Sequence, residues 1–220
     1  SQGRKMSKTL GNGIDPIEII DEYGADSLRF AVISGTTMGN DIRYMLEKLE
    51  QASNFANKIW NAAKFIIHSL ADEQKVREFC YEVYEKNKAY NPDLLEIEDK
   101  WILNKLDKLV DEVTRNMENY DLGVALDKIY GFIWNEFCDW YIEMIKPRIY
   151  SNNESTKIAV SDVLNHVFST CLKLLHPFMP FVTAEIHENL ICFGTKDIIV
   201  SKWPETKEKF VFDQEEAMIE

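Results

Sequence analysis

The stretch Leu46 to Leu70, LEKLEQASNFANKIWNAAKFIIHSL, decides the fold. Leu49, Ala52, Ala56, Ile59, Trp60, Ala63, Ile66, Ile67 and Leu70 recur at intervals of three and four, the spacing that lines apolar side chains along one stripe of an α-helix. The pattern predicts one long helix over 46–70 that must bury its stripe against other helices.

Downstream the same periodicity returns after a polar, mostly acidic stretch from Ala71 to Glu98. A second helix is expected over about 99–119, with Ile102, Leu106, Leu109, Val110 and Val113 inward. Asp121 opens a third that runs to about Ile145 and closes near Pro147. A fourth spans 155–175, ending at His176-Pro177, where proline disfavours helix in the residue before it. A shorter helix over 180–191 leads into Ile198–Val200 and Trp203-Pro204. The chain therefore reads as mainly α, with an antiparallel helical bundle over residues 46–204. Residues 205–220 form an acidic linker toward a further element.

Upstream, Asp15 is placed as a helix cap with Pro16 at the first helical position, and Gly24 stops that helix after about two turns. Asp26 then caps a second short helix, Ser27 to Ser34, stopped by Gly35, and Asp41 to Tyr44 reads as an extended segment. Residues 14–45 thus form a small α/β connecting unit ahead of the bundle.

With 220 residues, 45% hydrophobic and 12% aromatic, the chain has material for one sizeable core. No continuous run of 18 apolar residues is present, so no membrane span is expected. Cys80, Cys138, Cys171 and Cys192 are widely separated without a C-x-x-C pair, and no H-E-x-x-H occurs. They read as idle thiols in a reducing compartment, with no protein-bound metal. The net charge of −12 speaks against nucleic acid until its distribution is seen. Residues 1–70 hold 8 Lys and Arg against 8 Asp and Glu, and the excess lies in the rest, 17 against 29. An acidic protein can still present a locally basic face to phosphate.

Residues 1–13 contain the loop Gly3-Arg4-Lys5-Met6-Ser7-Lys8-Thr9-Leu10-Gly11-Asn12. Lys5 and Lys8 are point charges on flexible stems, able to follow oxygens as charge moves onto a departing pyrophosphate, and Ser7 and Thr9 add hydroxyl donors. The spacing is not that of a G-x-x-x-x-G-K-[ST] loop. By spacing alone Lys-x-x-Lys is a weak signal, and an ordinary solvated surface loop is the better reading.

The string KMSKTLGN resembles the "KMSKS" signature of class I aminoacyl-tRNA synthetases, and Ile14-Asp15-Pro16 and Tyr23-Gly24-Ala25-Asp26-Ser27-Leu28-Arg29-Phe30 follow it as in that family. Within the class, Asn40-Asp41-Ile42-Arg43, Asn54 to Ala62, Phe137 to Glu143 and His176 to Phe181 are similar to the valyl branch. Isoleucyl and leucyl members share the plan but not these strings. Thr9 stands where the name-giving motif has serine, and it keeps a hydroxyl. The resemblance implies a piece of a longer cytoplasmic enzyme that activates valine with ATP and Mg2+ and transfers it to tRNA(Val), with neither DNA nor membrane as partner. Lys5, Ser7, Lys8 and Thr9 would serve adenylation, Lys5 and Lys8 on the ATP phosphates. The loop would lie at the edge of a catalytic domain not contained here, so the chain alone is expected to be inactive. The connecting unit would touch the inner corner of tRNA. A free-standing helical RNA-binding or protein-interaction module is the competing reading.

At about 100° per residue, Asn54, Lys58, Asn61 and Phe65 cluster opposite the expected apolar stripe of the 46–70 helix. A ring beside a cation and two carboxamides suits an unstacked RNA base. In the family the corresponding helix faces the anticodon; Arg43, with Lys64 and Arg4, is a weaker candidate. The alternative is that Phe65 packs under the segment that follows. Trp134, Phe137, Trp140, Tyr141 and Met144 recur at three and four and are expected in the core. Glu136, Asp139 and Glu143 read as surface charges, Asp139 being placed for an ion pair inside the bundle, and His176 as a helix-end histidine.

Overall fold

A computed structural model describes residues 6–36, 44–69, 95–189, 197–206, 212 and 217–219. Its helices are α1 (Pro16–Tyr23), α2 (Ala25–Ile33), α3 (Leu46–Ser69), α4 (Ile97–Glu118), α5 (Leu122–Gly131), a π-helical segment (Phe132–Tyr141), α6 (Ile142–Ile149), α7 (Glu154–Leu175) and α8 (Pro180–Asn189). Single 3-10 turns lie at Lys8–Leu10 and Ile198–Val200. Among the described residues there is no strand. Of the extended segment expected over 41–44 only Tyr44 is described, and the acidic 71–94 stretch also lies outside the described residues.

The helix ends have local causes. The Asp15 carboxylate accepts the Ile17 N–H at 2.9 Å and Pro16 occupies the first helical position. Gly24 then takes φ 86, where a side chain would be strained, and its N–H closes on the Ile20 carbonyl at 2.9 Å. Because this one glycine both ends α1 and precedes α2, the cap position of α2 falls on it. Asp26 therefore does not cap its own helix. Its carboxylate accepts the N–H groups of Phe181 and Val182 in the first turn of α8. The Asn153 side chain opens α7, accepting from Ser155 and Thr156.

The bundle core is continuous from Phe30 on α2, through Phe55, Ile59 and Ile66 on α3 and Ile102, Leu106 and Val113 on α4, to Phe168 and Leu172 on α7. Helix α7 is long and apolar enough to cross a membrane by length and composition, but 83% of that window is buried within the bundle. Its apolarity is that of a core helix.

Two departures from local expectation lie between residues 132 and 149. The π-wound segment, bonded i→i+5, buries Phe132, Ile133, Phe137, Cys138 and Tyr141. The same winding turns Trp140 outward: it is 57% exposed, against the expectation that it lies in the core. The helix also does not close at Pro147 but runs on to Ile149 with the proline inside its last turn. The reason is the next residue. Arg148 is buried and reaches Asp99 at 2.7 Å and Glu98 at 2.9 Å, which offsets the one backbone hydrogen bond that proline forfeits.

Candidate nucleic-acid interface and phosphate loop

Helix α3 buries Leu49, Ala52, Phe55, Ile59, Ala62, Ala63 and Ile66. This stripe is turned by roughly 40° from the one its spacing suggests, at about 100° per residue. Phe55 causes the rotation. It is fully buried at the centre of an aromatic stack: 5.6 Å from Phe30, 4.8 Å from Tyr130 and 6.4 Å from Trp134 between ring centroids. Trp60 and Ile67, expected inward, are correspondingly only half-buried.

The rotation redistributes the outer face. Asn54 and Asn61 remain exposed. Phe65 moves to the flank, where it is half-buried and packed against the core, so the ring is not freely wet. Lys58 is also on the flank. Its ammonium lies 3.9 Å above the Trp134 ring centroid and 2.6 Å from Asp139 Oδ1. A cation over an indole face with a carboxylate beside it is held in place and largely neutralised. Lys64 is exposed and lies 5.8 Å from the Trp60 ring centroid.

An ion pair for Asp139 is what the sequence leads one to expect, but α-helical spacing gives no reason for Trp134 to share its face. Residues 134 and 139 are five apart, a spacing that an α-helix places on different faces and that the i→i+5 bonding of a π-helix brings together. The face thus offers two exposed carboxamides, one half-buried aromatic ring and a lysine–carboxylate pair. Such a surface can accept and donate to base edges with little net charge.

At the other end of the chain, residues 7–12 form a self-closed turn. Ser7 N–H donates to Asn12 Oδ1 at 2.9 Å, and Leu10 N–H reaches both the Ser7 Oγ and the Ser7 carbonyl at 3.2 Å. Gly11 sits at φ 61, which lets the chain reverse. Ser7 Oγ, already an acceptor, keeps its O–H for a further acceptor, and Thr9 is exposed. Lys5 and Arg43 lie outside the described residues, and of Lys8 only the backbone turn is described. The two hydroxyls stand in one turn, on either side of position 8 in sequence, a donor set of the kind that suits polyphosphate. Among the described residues no group of three His, Cys, Asp or Glu side chains is placed to hold a metal ion. The Cys138 and Cys171 thiols are buried, and burial pushes Cys138 up to about 12 and Cys171 upward as well, so both are unreactive.

Residues 99–220 match the family described as the anticodon-binding domain of tRNA ligase, and residues 1–45 match class I tRNA synthetases of the isoleucine, leucine, methionine and valine type. The chain is 50% identical over 204 residues to a valine–tRNA ligase of Clostridium perfringens, covering 93% of this chain and 22% of that protein. It is also 50% identical over 209 residues to the valine–tRNA ligase of Clostridium tetani, covering 95% and 22%. The chain thus spans about a fifth of the length of the curated relatives it matches. Among solved structures, it is similar to a leucyl-tRNA synthetase of Agrobacterium radiobacter in a ternary complex with tRNA, at TM-score 0.65 and 20% identity, over 95% of this chain and 23% of that one. A methionyl-tRNA synthetase of Mycobacterium tuberculosis with methionyl-adenylate gives TM-score 0.62 and 21% identity, over 82% and 34%. At that identity both likenesses are of fold.

Proposed function

The chain belongs to the family of anticodon-binding domains of tRNA ligases, and from that premise we propose that it is the tRNA-recognising part of a cytoplasmic valine–tRNA ligase. The whole enzyme activates valine with ATP, releasing pyrophosphate, and transfers the valine to tRNA(Val). The observation that carries this reading is the 50% identity to valine–tRNA ligases across nearly the whole chain, beside the family matches over residues 1–45 and 99–220.

Two parts divide the work. In this reading Lys5, Ser7, Lys8 and Thr9 meet the ATP phosphates, where charges and hydroxyls stabilise the departing pyrophosphate; Ser7 and Thr9 belong to the turn at residues 7–12. Mg2+ accompanies ATP as its counter-ion and needs no carboxylate cluster of this chain. The outer face of α3, with Asn54, Lys58, Asn61 and Phe65, meets the anticodon, and Arg43 belongs to the connecting unit beside the tRNA. The chain alone binds tRNA and does not form adenylate.

Purified chain is titrated with tRNA(Val) and tRNA(Ile) transcripts, and the full-length ligase is assayed for valine-dependent ATP–pyrophosphate exchange. Preference for tRNA(Val), with exchange in the full-length enzyme and none in the chain, is expected. Equal binding of the two tRNAs by a chain that folds would reduce the reading to a general RNA-binding module.

A further inference from the structure

Asp26 and Arg29 stand one turn apart on α2 and grip both sides of the turn between α7 and α8. Asp26 is 8% exposed; its Oδ1 accepts the Phe181 N–H at 3.2 Å and its Oδ2 the Val182 N–H at 2.7 Å. Those amides lie in the first turn of α8, where backbone N–H groups have no helical acceptor and the helix dipole favours an anion. Arg29 donates from Nε to the Phe178 carbonyl at 3.1 Å and from Nη2 to the Pro177 carbonyl at 2.8 Å. The receiving turn is itself braced, since the Thr183 hydroxyl donates to the Met179 carbonyl and lies 2.8 Å from His176 Nδ1.

The far end of α2 is held as well. Lys48 donates to the Ser34 carbonyl at 2.6 Å, and Gly123 on α5 packs so closely that a Cβ there would run into the Thr36 carbonyl oxygen. Apolar packing resists separation of helices but not their rotation. Four directional bonds of opposite polarity, made from one helix face to one turn, resist both.

We propose that Asp26 and Arg29 are positioning residues for tRNA: they fix the angle between the connecting unit of α1 and α2 and the bundle that carries the outer face of α3. A single tRNA then meets both units without having to order them. Two binding surfaces act with high effective concentration only when their separation matches the ligand, and misplacements of about 1 Å can cost 10²-fold. The inference rests on the valine–tRNA ligase reading.

The test uses the full-length ligase carrying Asp26→Ala, Asp26→Asn or Arg29→Ala, with thermal melts of each. Exchange of valine-dependent pyrophosphate, which needs no tRNA, is expected within about twofold of the unaltered enzyme, while KM for tRNA(Val) rises about tenfold or more. Asp26→Asn, which keeps one carbonyl acceptor, recovers part of that rise. Arg29→Ala carries the test should Asp26→Ala melt below the assay temperature. Parallel loss of exchange and aminoacylation, or an unchanged KM for tRNA in a variant whose melting point has fallen, overturns the proposal. An unaltered ligase without valine-dependent exchange removes the valine reading instead, and the same comparison then runs with the amino acid that does support exchange.

Discussion

The carboxylate of Asp26 lies 2.7 Å from the amide nitrogen of Val182, although 156 residues separate them in the chain. Local reading gives that carboxylate to the start of its own helix, and the fold gives it to another. Loss of a charged acceptor that satisfies two helix-start N–H groups costs about 1–3 kcal/mol. Asp26→Ala should lower stability by that amount in urea unfolding, with Asp26→Asn in between. An unchanged unfolding midpoint would show that the bonds to Phe181 and Val182 contribute nothing.

Arg148 is the hinge pin of a second long-range contact. Its guanidinium meets Glu98 and Asp99, with Glu96 at 3.4 Å, and the Tyr141 hydroxyl donates to the other Asp99 oxygen at 2.9 Å. Burial raises the Asp99 carboxyl, and Arg148, the Glu96 N–H and the Tyr141 hydroxyl work against that. Removing the guanidinium leaves carboxylates in the interior without their counter-charge. Arg148→Ala should therefore cost about 3–5 kcal/mol, and Tyr141→Phe about 1–2. Chemical denaturation of the two variants checks the order, and near-equal losses would contradict it.

The pH response follows from two histidines near the α7–α8 turn. Burial pushes His176 and His187 below the ordinary 6.5; at His187 Lys173 and His176 add to the push, and Asp197 opposes it. Asp26 opposes and Arg29 assists the shift at His176. A group whose folded-state pKa is depressed binds its proton first in the unfolded chain. Its contribution is therefore fully present above about 6.5 and is lost as pH falls toward the folded value. Melting temperature should hold between pH 7 and 8 and fall below about 6.5, and His187→Gln should flatten the fall. The same slope in wild type and variant would place the proton uptake elsewhere.

Helices with a strong 3.6-residue pattern and a local stop or start were legible in sequence. Asp15-Pro16 to Gly24, the 46–70 run and the His176-Pro177 end all fall within one or two residues of the observed bounds. What escaped depends on long-range packing. The aromatic stack of Phe30, Phe55 and Tyr130 rotates α3, and i→i+5 winding re-phases residues 132–141, so Phe65 and Trp140 exchange their expected environments in part. For Phe65 the consequence is double. Phe65→Ala should weaken tRNA binding by about 1–3 kcal/mol through a lost base stack and also lower stability by about 1–3 kcal/mol through lost packing. A melt and a tRNA titration on one sample separate the two; a stability loss with unchanged affinity would leave Phe65 as packing alone.

The Lys58–Asp139 pair yields the sharpest test of the α3 face, because pairing predicts the opposite of what a free lysine would do. With its ammonium 2.6 Å from a carboxylate and 3.9 Å over Trp134, Lys58 is spoken for before RNA arrives. The pair is partly open to water, with Asp139 51% and Lys58 22% exposed, so its own contribution to stability is small. Asp139→Asn frees the cation for phosphate. Affinity for tRNA(Val) should rise, and the slope of log K against log salt should steepen by about 0.7, the value for one phosphate of a single strand. Lys58→Ala leaves Asp139 as an uncompensated negative charge and should weaken binding. The double variant Lys58→Ala with Asp139→Ala removes both charges and should return close to wild type, a coupling that two independent residues would not show. A slope unchanged in Asp139→Asn, together with an affinity unchanged in Lys58→Ala, would mean that the RNA lies on another face of the bundle.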